Sequence, residues 1–369
     1  MKYKGISINI GLKDPPSYWI NNNSGNLTLF GCENDADFMY ELFEKFGFQK
    51  RTILKGLGDG LTAAHFTNVE NAIKSAQTEL DSDGILVITY SGHGSQSATL
   101  AGNELDGKNE YWVLDGKEMF DDDLIKLLLP FKSTQRILII SDSCHSGTMI
   151  DAYRILLRNC FKEITSSQAT EVNPVFDIDN SVNAFLNSVG CKKVKFNKKN
   201  WTKQKKYLDK NHKNWENLLP RLKTPPKELI EMYEVKVNKE SANGNPTENK
   251  IPNLKSQINA SVLLMAACQE KQSAADNFRG YNNKFHGLYT KCLIDILFEK
   301  KQILTNGGSQ LVVNGEREKL DYLQLNEAIY NRIEEIWNRS VDWRLKQNPH
   351  ILPIGYPNSS FPKQGCFTI

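Results

Sequence analysis

Two short runs carry residues able to do chemistry: Tyr90-Ser91-Gly92-His93-Gly94 and Ser141-Asp142-Ser143-Cys144-His145-Ser146-Gly147. A thiol is only slightly ionised at neutral pH, and an imidazole that takes its proton supplies the thiolate needed to attack a carbonyl. The same imidazole, titrating near pH ~6.5, can return that proton to a departing amine. Cys144 and His93 therefore read as the nucleophile and base of a cysteine hydrolase. Gly92 and Gly94 let the backbone approach a substrate closely and leave N–H groups to meet oxyanion charge. Each residue alone has a plainer reading, since a buried cysteine is usually a small inert hydrophobe and a histidine in a glycine loop is usually a turn residue. The pair, at matching strand ends, favours catalysis. Zinc is not indicated, because no second ligand pair sits at finger-like spacing.

Positioning such a pair needs a sheet. Ile85 to Ile88 and Ile137 to Ile140 are continuous apolar runs, which fit strands Gly84 to Tyr90 and Arg136 to Asp142 buried on both faces. Between them Asp121 to Phe131 has helical apolar spacing closed by Pro130. Strand, helix and strand make a βαβ unit, whose handedness rule puts both strands in one parallel sheet. Loops leaving the carboxyl ends of such strands open on one rim, so a separation of about fifty residues is no obstacle. Further strands are expected at 5–11, Arg51 to Leu54 and Ser261 to Ala267. Helices are expected over Asn34 to Phe46, Phe66 to Leu80, Gly287 to Phe298 and Asp321 to Trp343, with an extended tail from Asn348 as a candidate last strand.

The two motifs resemble the metacaspase and orthocaspase branch of the caspase-like cysteine peptidases. The resemblance extends to Gly31-Cys32-Glu33-Asn34-Asp35-Ala36, Asp106-Gly107, Asp121-Asp122-Asp123-Leu124 and Ala267-Cys268-Gln269 through Asp276, covering roughly 1–151 and 259–300. The Gln-Ala-Cys-x-Gly signature of animal caspases is absent. The resemblance implies an α/β fold, a three-layer α/β/α sandwich around a central, mostly parallel sheet of about six strands. It implies a single peptidase domain over 1–369, in which residues 1–151 are large-subunit-like, 152–258 form an insertion and 259–369 are small-subunit-like.

Activity follows from the same likeness. His93 and Cys144 would be catalytic, with the amides of Gly94 and Cys144 as the oxyanion hole. Asp35 and Asp142, with Cys32 and Ser91, would line a pocket for Arg or Lys before the cleaved bond, because a cationic side chain needs carboxylates. The alternative is that Asp35 caps the helix and Asp142 caps a turn. Asp106, Asp121, Asp122 and Asp151 match calcium ligands in many metacaspases, and calcium prefers hard carboxylate oxygens. A solvated acidic loop is the competing reading, and Asn109 stands where the family pattern has an aspartate. No organic cofactor is expected. Regulation by calcium, by self-processing, or by an activating partner or small signalling ligand stays open, as does a catalytically silent scaffold.

The 369 residues are 40% hydrophobic with a net charge of +3, enough for a substantial core. Seven cysteines at irregular spacing argue against a disulfide framework and for a reducing compartment. No run approaches the ~18 apolar residues of a membrane span, and Met1 to Lys13 reads as a strand and not as a signal peptide. A cytoplasmic, monomeric protein acting on protein or peptide substrates is the expectation. Lys192 to Lys223 holds twelve Lys or Arg against two acidic residues, with Trp201, Tyr207 and Trp215 among the interspersed aromatics. Such a strip suits a solvated insertion or a cleavable basic link better than nucleic-acid binding, for which no recognised fold motif is present.

Overall fold

Apolar side chains on both faces of successive strands can be buried only if helices cover the sheet on each side. The computed structural model, which describes residues 1–20, 27–98, 108–144, 221–222, 258–268, 273–305, 311–313, 320–339, 347–355 and 360–369, has that arrangement. In chain order the first half comprises β1 Tyr3–Gly11, α1 Cys32–Lys45, β2 Lys50–Lys55, α2 Phe66–Glu79 and β3 Leu80–Ser91. It continues with β4 Gly94–Ala98, β5 Lys108–Trp112, β6 Met119–Phe120, α3 Asp121–Leu128 and β7 Arg136–Asp142. Then come β8 Arg221–Leu222, β9 Ser261–Ala266, β10 Ala275–Asp276, β11 Phe278–Arg279, β12 Phe285–His286 and α4 Leu288–Glu299. The last are β13 Ile303–Thr305, β14 Leu311–Val313, α5 Tyr322–Arg339 and β15 His350–Gly355.

Six strands form the central sheet in the order β15-β9-β7-β3-β1-β2. Its neighbours pair in parallel except β15, which runs antiparallel to β9 at the edge. Side chains alternate between faces with a period of two. Val87, Leu138, Ile140, Leu263 and Met265 pack with Phe38, Leu42, Leu293 and Ile329 of α1, α4 and α5. Leu86, Ile88, Ile137, Ile139 and Leu264 pack with Val69, Ile73, Leu124 and Leu128 of α2 and α3. The expected three-layer sandwich is therefore present. Each such side chain contributes about 1.5–3 kcal/mol on burial, which makes the two interlayer cores the main source of stability.

Boundaries shift by a few residues. Strand β3 begins four residues before the expected Gly84, because Leu80 is buried and pairs with Tyr3 across a bulge. The final helix ends at Arg339, and residues 340–346 lie outside the described set. A three-stranded antiparallel sheet β4-β5-β6, not expected from the sequence, leaves the end of β3 directly after His93. All described residues belong to one compact unit made of Met1–Arg154 and Pro220–Ile369. Most of the expected insertion 152–258 lies outside them. Among the described residues no helix is long and apolar enough to cross a membrane.

Candidate active site

Strands β3 and β7 are adjacent and in register, with Tyr90 opposite Ser141 and Ser91 opposite Asp142, so their carboxyl ends reach one rim side by side. Just past them, the backbones of Gly94 and Cys144 touch. A Cβ added to Gly94 would come 2.5 Å from the Cys144 carbonyl oxygen and 3.2 Å from Ser143 Cβ. Aromatic packing ties the two loops together from beneath. The Trp112 ring stacks on Tyr90 at 4.7 Å, and its indole N–H donates to Ser141 Oγ (3.0 Å), which in turn bonds Ser143 Oγ (2.9 Å). Tyr90 Oη lies 2.6 Å from the His93 carbonyl and 2.9 Å from that of Val113, anchoring the histidine loop.

The imidazole is tethered at one nitrogen. His93 Nε2 lies 2.7 Å from the carbonyl oxygen of Leu27, which can only accept, so Nε2 is the donor in that bond. Trp19 packs against the same ring at 5.1 Å. The segment bearing Trp19 is pinned by Tyr18, whose hydroxyl donates to the Leu114 carbonyl at 2.6 Å. Burial raises the Tyr18 phenol well above its ordinary range, so it remains a donor at any working pH.

Cys144 Sγ receives the amide N–H of Ala274 at 3.1 Å. An N–H aimed at sulfur stabilises negative charge there. Cys268 sits beside the loop, its thiol 3.4 Å from the Ser143 carbonyl. Both His93 and Cys144 are 2% exposed.

Beside this pair, Asp35, Ser91, Asp142 and Thr290 line a small cavity with apolar walls from Ile10, Met39 and Ile140. Asp35 does not cap α1. That helix starts at Cys32 with Gly31 as its N-cap, and Asp35 lies in the first turn with its carboxylate turned inward. Its Oδ2 accepts from Ser91 Oγ (2.6 Å) and from the Gly287 amide (3.1 Å), while Oδ1 meets His286 Nδ1 at 2.9 Å. Asp142 Oδ2 accepts from the Thr290 amide (3.0 Å) and hydroxyl (2.8 Å). Gly287 is the N-cap of α4 and Thr290 its third residue, so both carboxylates meet the positive end of one helix dipole. Cys32 lies one turn earlier on α1, buried with its carbonyl against Gly11, and is not among the residues lining the cavity.

Of the four calcium candidates, Asp106 and Asp151 lie outside the described residues. Asp121 and Asp122 open α3, and buried Asp121 accepts the Asp122 amide on Oδ1 at 2.9 Å. Among the described residues no three His, Cys, Asp or Glu side chains cluster as a metal site. Two hard oxygen donors are thus present at adjacent positions.

Sequence reasoning missed Leu27, Ala274, His286 and Thr290. The first two act through backbone atoms, which leave no trace in residue type. A lone histidine in Phe285-His286-Gly287 and a threonine in a helical run carried too weak a signal.

A mostly parallel α/β/α sandwich with histidine and cysteine on neighbouring strand ends defines a caspase-like protein. The chain belongs to the peptidase C14 caspase-domain family, whose model matches residues 19–351. It is 37% identical over 128 residues to Metacaspase-4 of Arabidopsis thaliana, covering 33% of this chain and 31% of that protein. Metacaspase-1 of Cryptococcus neoformans var. neoformans serotype D (strain JEC21) is 32% identical over 142 residues, covering 36% and 31%. The chain thus spans about a third of the length of the curated relatives it matches. Protein GSU0716 from Geobacter sulfurreducens, a crystal structure, superposes over 99% of both chains with a TM-score of 0.58 at 23% identity, a likeness of fold.

Proposed function

We propose that this chain is a cysteine endopeptidase that cuts peptide bonds after Arg or Lys, with Cys144 as nucleophile and His93 as base. The observation carrying this reading is the convergence of the two loops at Gly94 and Cys144, with the His93 imidazole held at Nε2 by the Leu27 carbonyl. Cys144 thiolate attacks the carbonyl carbon, amides at Gly94 and Cys144 receive the oxyanion, and the C–N bond breaks as the amine takes its proton from His93. Water then hydrolyses the acyl-enzyme, releasing the acid and restoring the thiol. The buried carboxylates of Asp35 and Asp142 support a cationic specificity.

Self-processing fits an additional feature. The short strand β8, from within the basic insertion, pairs antiparallel with β10, Leu222 opposite Ala275 and Arg221 opposite Asp276. Strand β10 begins directly after Ala274, the residue that touches Cys144 Sγ. Going from Arg221 to Leu222 the chain thus heads towards the nucleophile, and the next residue in sequence is Lys223. An extended peptide added to a strand edge is a common way of presenting a substrate. Cleavage after Lys223 is the expected self-processing event, carried out by a monomeric enzyme of the cytoplasm.

Calcium is proposed as a regulatory ligand held by Asp121 and Asp122 with Asp106 and Asp151. When bound it would supply positive charge and rigidity to those loops. Calorimetric titration of the full chain with calcium, beside Asp121→Asn, tests this directly, and identical flat traces would remove calcium from the account.

The main test is a panel of fluorogenic peptides ending in Arg, Lys or Asp, assayed with and without calcium on wild type and Cys144→Ala. Hydrolysis of the basic peptides by wild type alone is expected. Burial of both His93 and Cys144 is the observation favouring a silent scaffold. Inactivity of both proteins in every arm, including after limited proteolysis to open the site, would establish that second reading.

A further inference from the structure

His286 meets Asp35, one of the two carboxylates lining the cavity, and nothing in the proposed reaction uses it. It is 1% exposed, as deeply buried as the carboxylate it meets. Its Nδ1 is 2.9 Å from Asp35 Oδ1, and its Nε2 is 3.3 Å from the carbonyl oxygen of Tyr281. A carboxylate and a carbonyl oxygen both accept, so the ring is placed to donate to Asp35. Phe38 stands edge-on to the ring at 6.5 Å.

Two carboxylates facing one small buried space repel, and charge on both is sustained only by nearby positive groups. The N-terminus of α4 provides some of that through the Gly287 and Thr290 amides. His286 adds a ring nitrogen within hydrogen-bond distance on the Asp35 side. Stability is a poor reason for such a pair, since buried polar partners can often be replaced together by apolar residues at little net cost. Its bond to a carboxylate that lines the cavity points to a functional reason. With Ser91 Oγ and the Gly287 amide on Oδ2 and His286 on Oδ1, Asp35 is oriented from three sides.

We propose that His286 is a specificity-determining positioning residue, which holds the Asp35 carboxylate in the orientation that receives a guanidinium or ammonium side chain. This rests on the reading of Asp35 and Asp142 as the substrate pocket. Its action is on recognition of the basic side chain, through Asp35, and not on the chemical step at Cys144.

The test compares wild type, His286→Ala and His286→Asn on two peptides that differ only in carrying arginine or citrulline before the cleaved bond. Citrulline keeps the shape of arginine and lacks its charge. Replacing His286 by Ala is expected to raise KM for the arginine peptide about tenfold or more, the scale of a lost charge-assisted hydrogen bond, with kcat and the citrulline peptide little changed. Asparagine keeps a donor for Oδ1 and is expected to recover most of that loss. Calorimetric binding of agmatine to the same variants in a Cys144→Ala background reads the pocket without turnover, and melting temperatures monitor folding. Wild type that binds agmatine no better than buffer and treats both peptides alike would refute the pocket itself. Wild type that favours arginine, with both His286 variants favouring it equally or losing both peptides in parallel, would overturn only the role of His286.

Discussion

The backbone of Gly94 lies against that of Cys144, so closely that a methyl group on Gly94 would fall 2.5 Å from the Cys144 carbonyl oxygen. The histidine loop and the cysteine loop therefore hold each other in place through a contact that has no room for a side chain. Gly94→Ala must push the loops apart by several tenths of an ångström or more. Displacements of that order at a reacting centre cost about a hundredfold in rate. We expect kcat/KM on a basic peptide, measured well below the unfolding midpoint, to fall by about that factor, with a lowered urea midpoint as the backbone clash is relieved. Full activity in Gly94→Ala would show that the close approach is irrelevant to catalysis.

Tyr90→Phe removes the hydroxyl that lies between the His93 and Val113 carbonyls. The His93 carbonyl keeps a second donor in the Val113 amide, whereas the Val113 carbonyl loses the bond to Tyr90. Loss of about 1–3 kcal/mol is expected in urea unfolding. Activity measured well below the new midpoint should fall too, because the loop carrying the base loses its anchor.

Thr290→Val keeps the shape of the side chain and deletes its hydroxyl donor to Asp142, leaving the backbone amide. The expected result is a rise of about tenfold in KM for an arginine peptide at nearly constant kcat, the scale of one hydrogen bond to a charged group. An unchanged KM would separate Asp142 from substrate recognition.

Burial raises the thiols of Cys292 and Cys366 well above their ordinary range, so both are protonated and inert in the folded protein. Iodoacetamide at neutral pH should label neither until denaturant is added. Tandem mass spectrometry of alkylated peptides checks this. Native labelling of Cys292 would mean that the core between α4 and the sheet opens far more readily than its packing implies.

Replacing Lys223 with alanine should abolish the self-cleavage fragment expected to end there, with hydrolysis of added peptides retained. N-terminal sequencing of fragments from wild type is expected to begin at Thr224. Fragments starting elsewhere, unchanged in Lys223→Ala, would separate the β8 and β10 pairing from processing.

Strand β7 was legible to the residue, because Ile137 to Ile140 form an apolar run bounded by Arg136 and Asp142. The first helix was harder. Asp35 reads as a cap by residue type, yet its carboxylate faces inward towards donors supplied from about 250 residues away. The small sheet β4-β5-β6 escaped notice since Gly94-Ser95-Gln96-Ser97-Ala98 has no apolar alternation to mark a strand. Asp35, Ser91 and Asp142 were grouped with Cys32 through motif resemblance, and the first three line one small cavity while Cys32 does not. His286 was invisible for the opposite reason. Its importance depends on a long-range meeting with Asp35 that no local pattern encodes.

Strand β9 is seated between β7 and β15, with its register to β7 running unbroken from Arg136 and Ser261 to Ser141 and Ala266. A chain severed anywhere in 145–220 would thus keep its halves zipped together by backbone ladders and shared core. The scar would leave a native sizing column undisturbed and emerge only in detergent, where one protein becomes two bands.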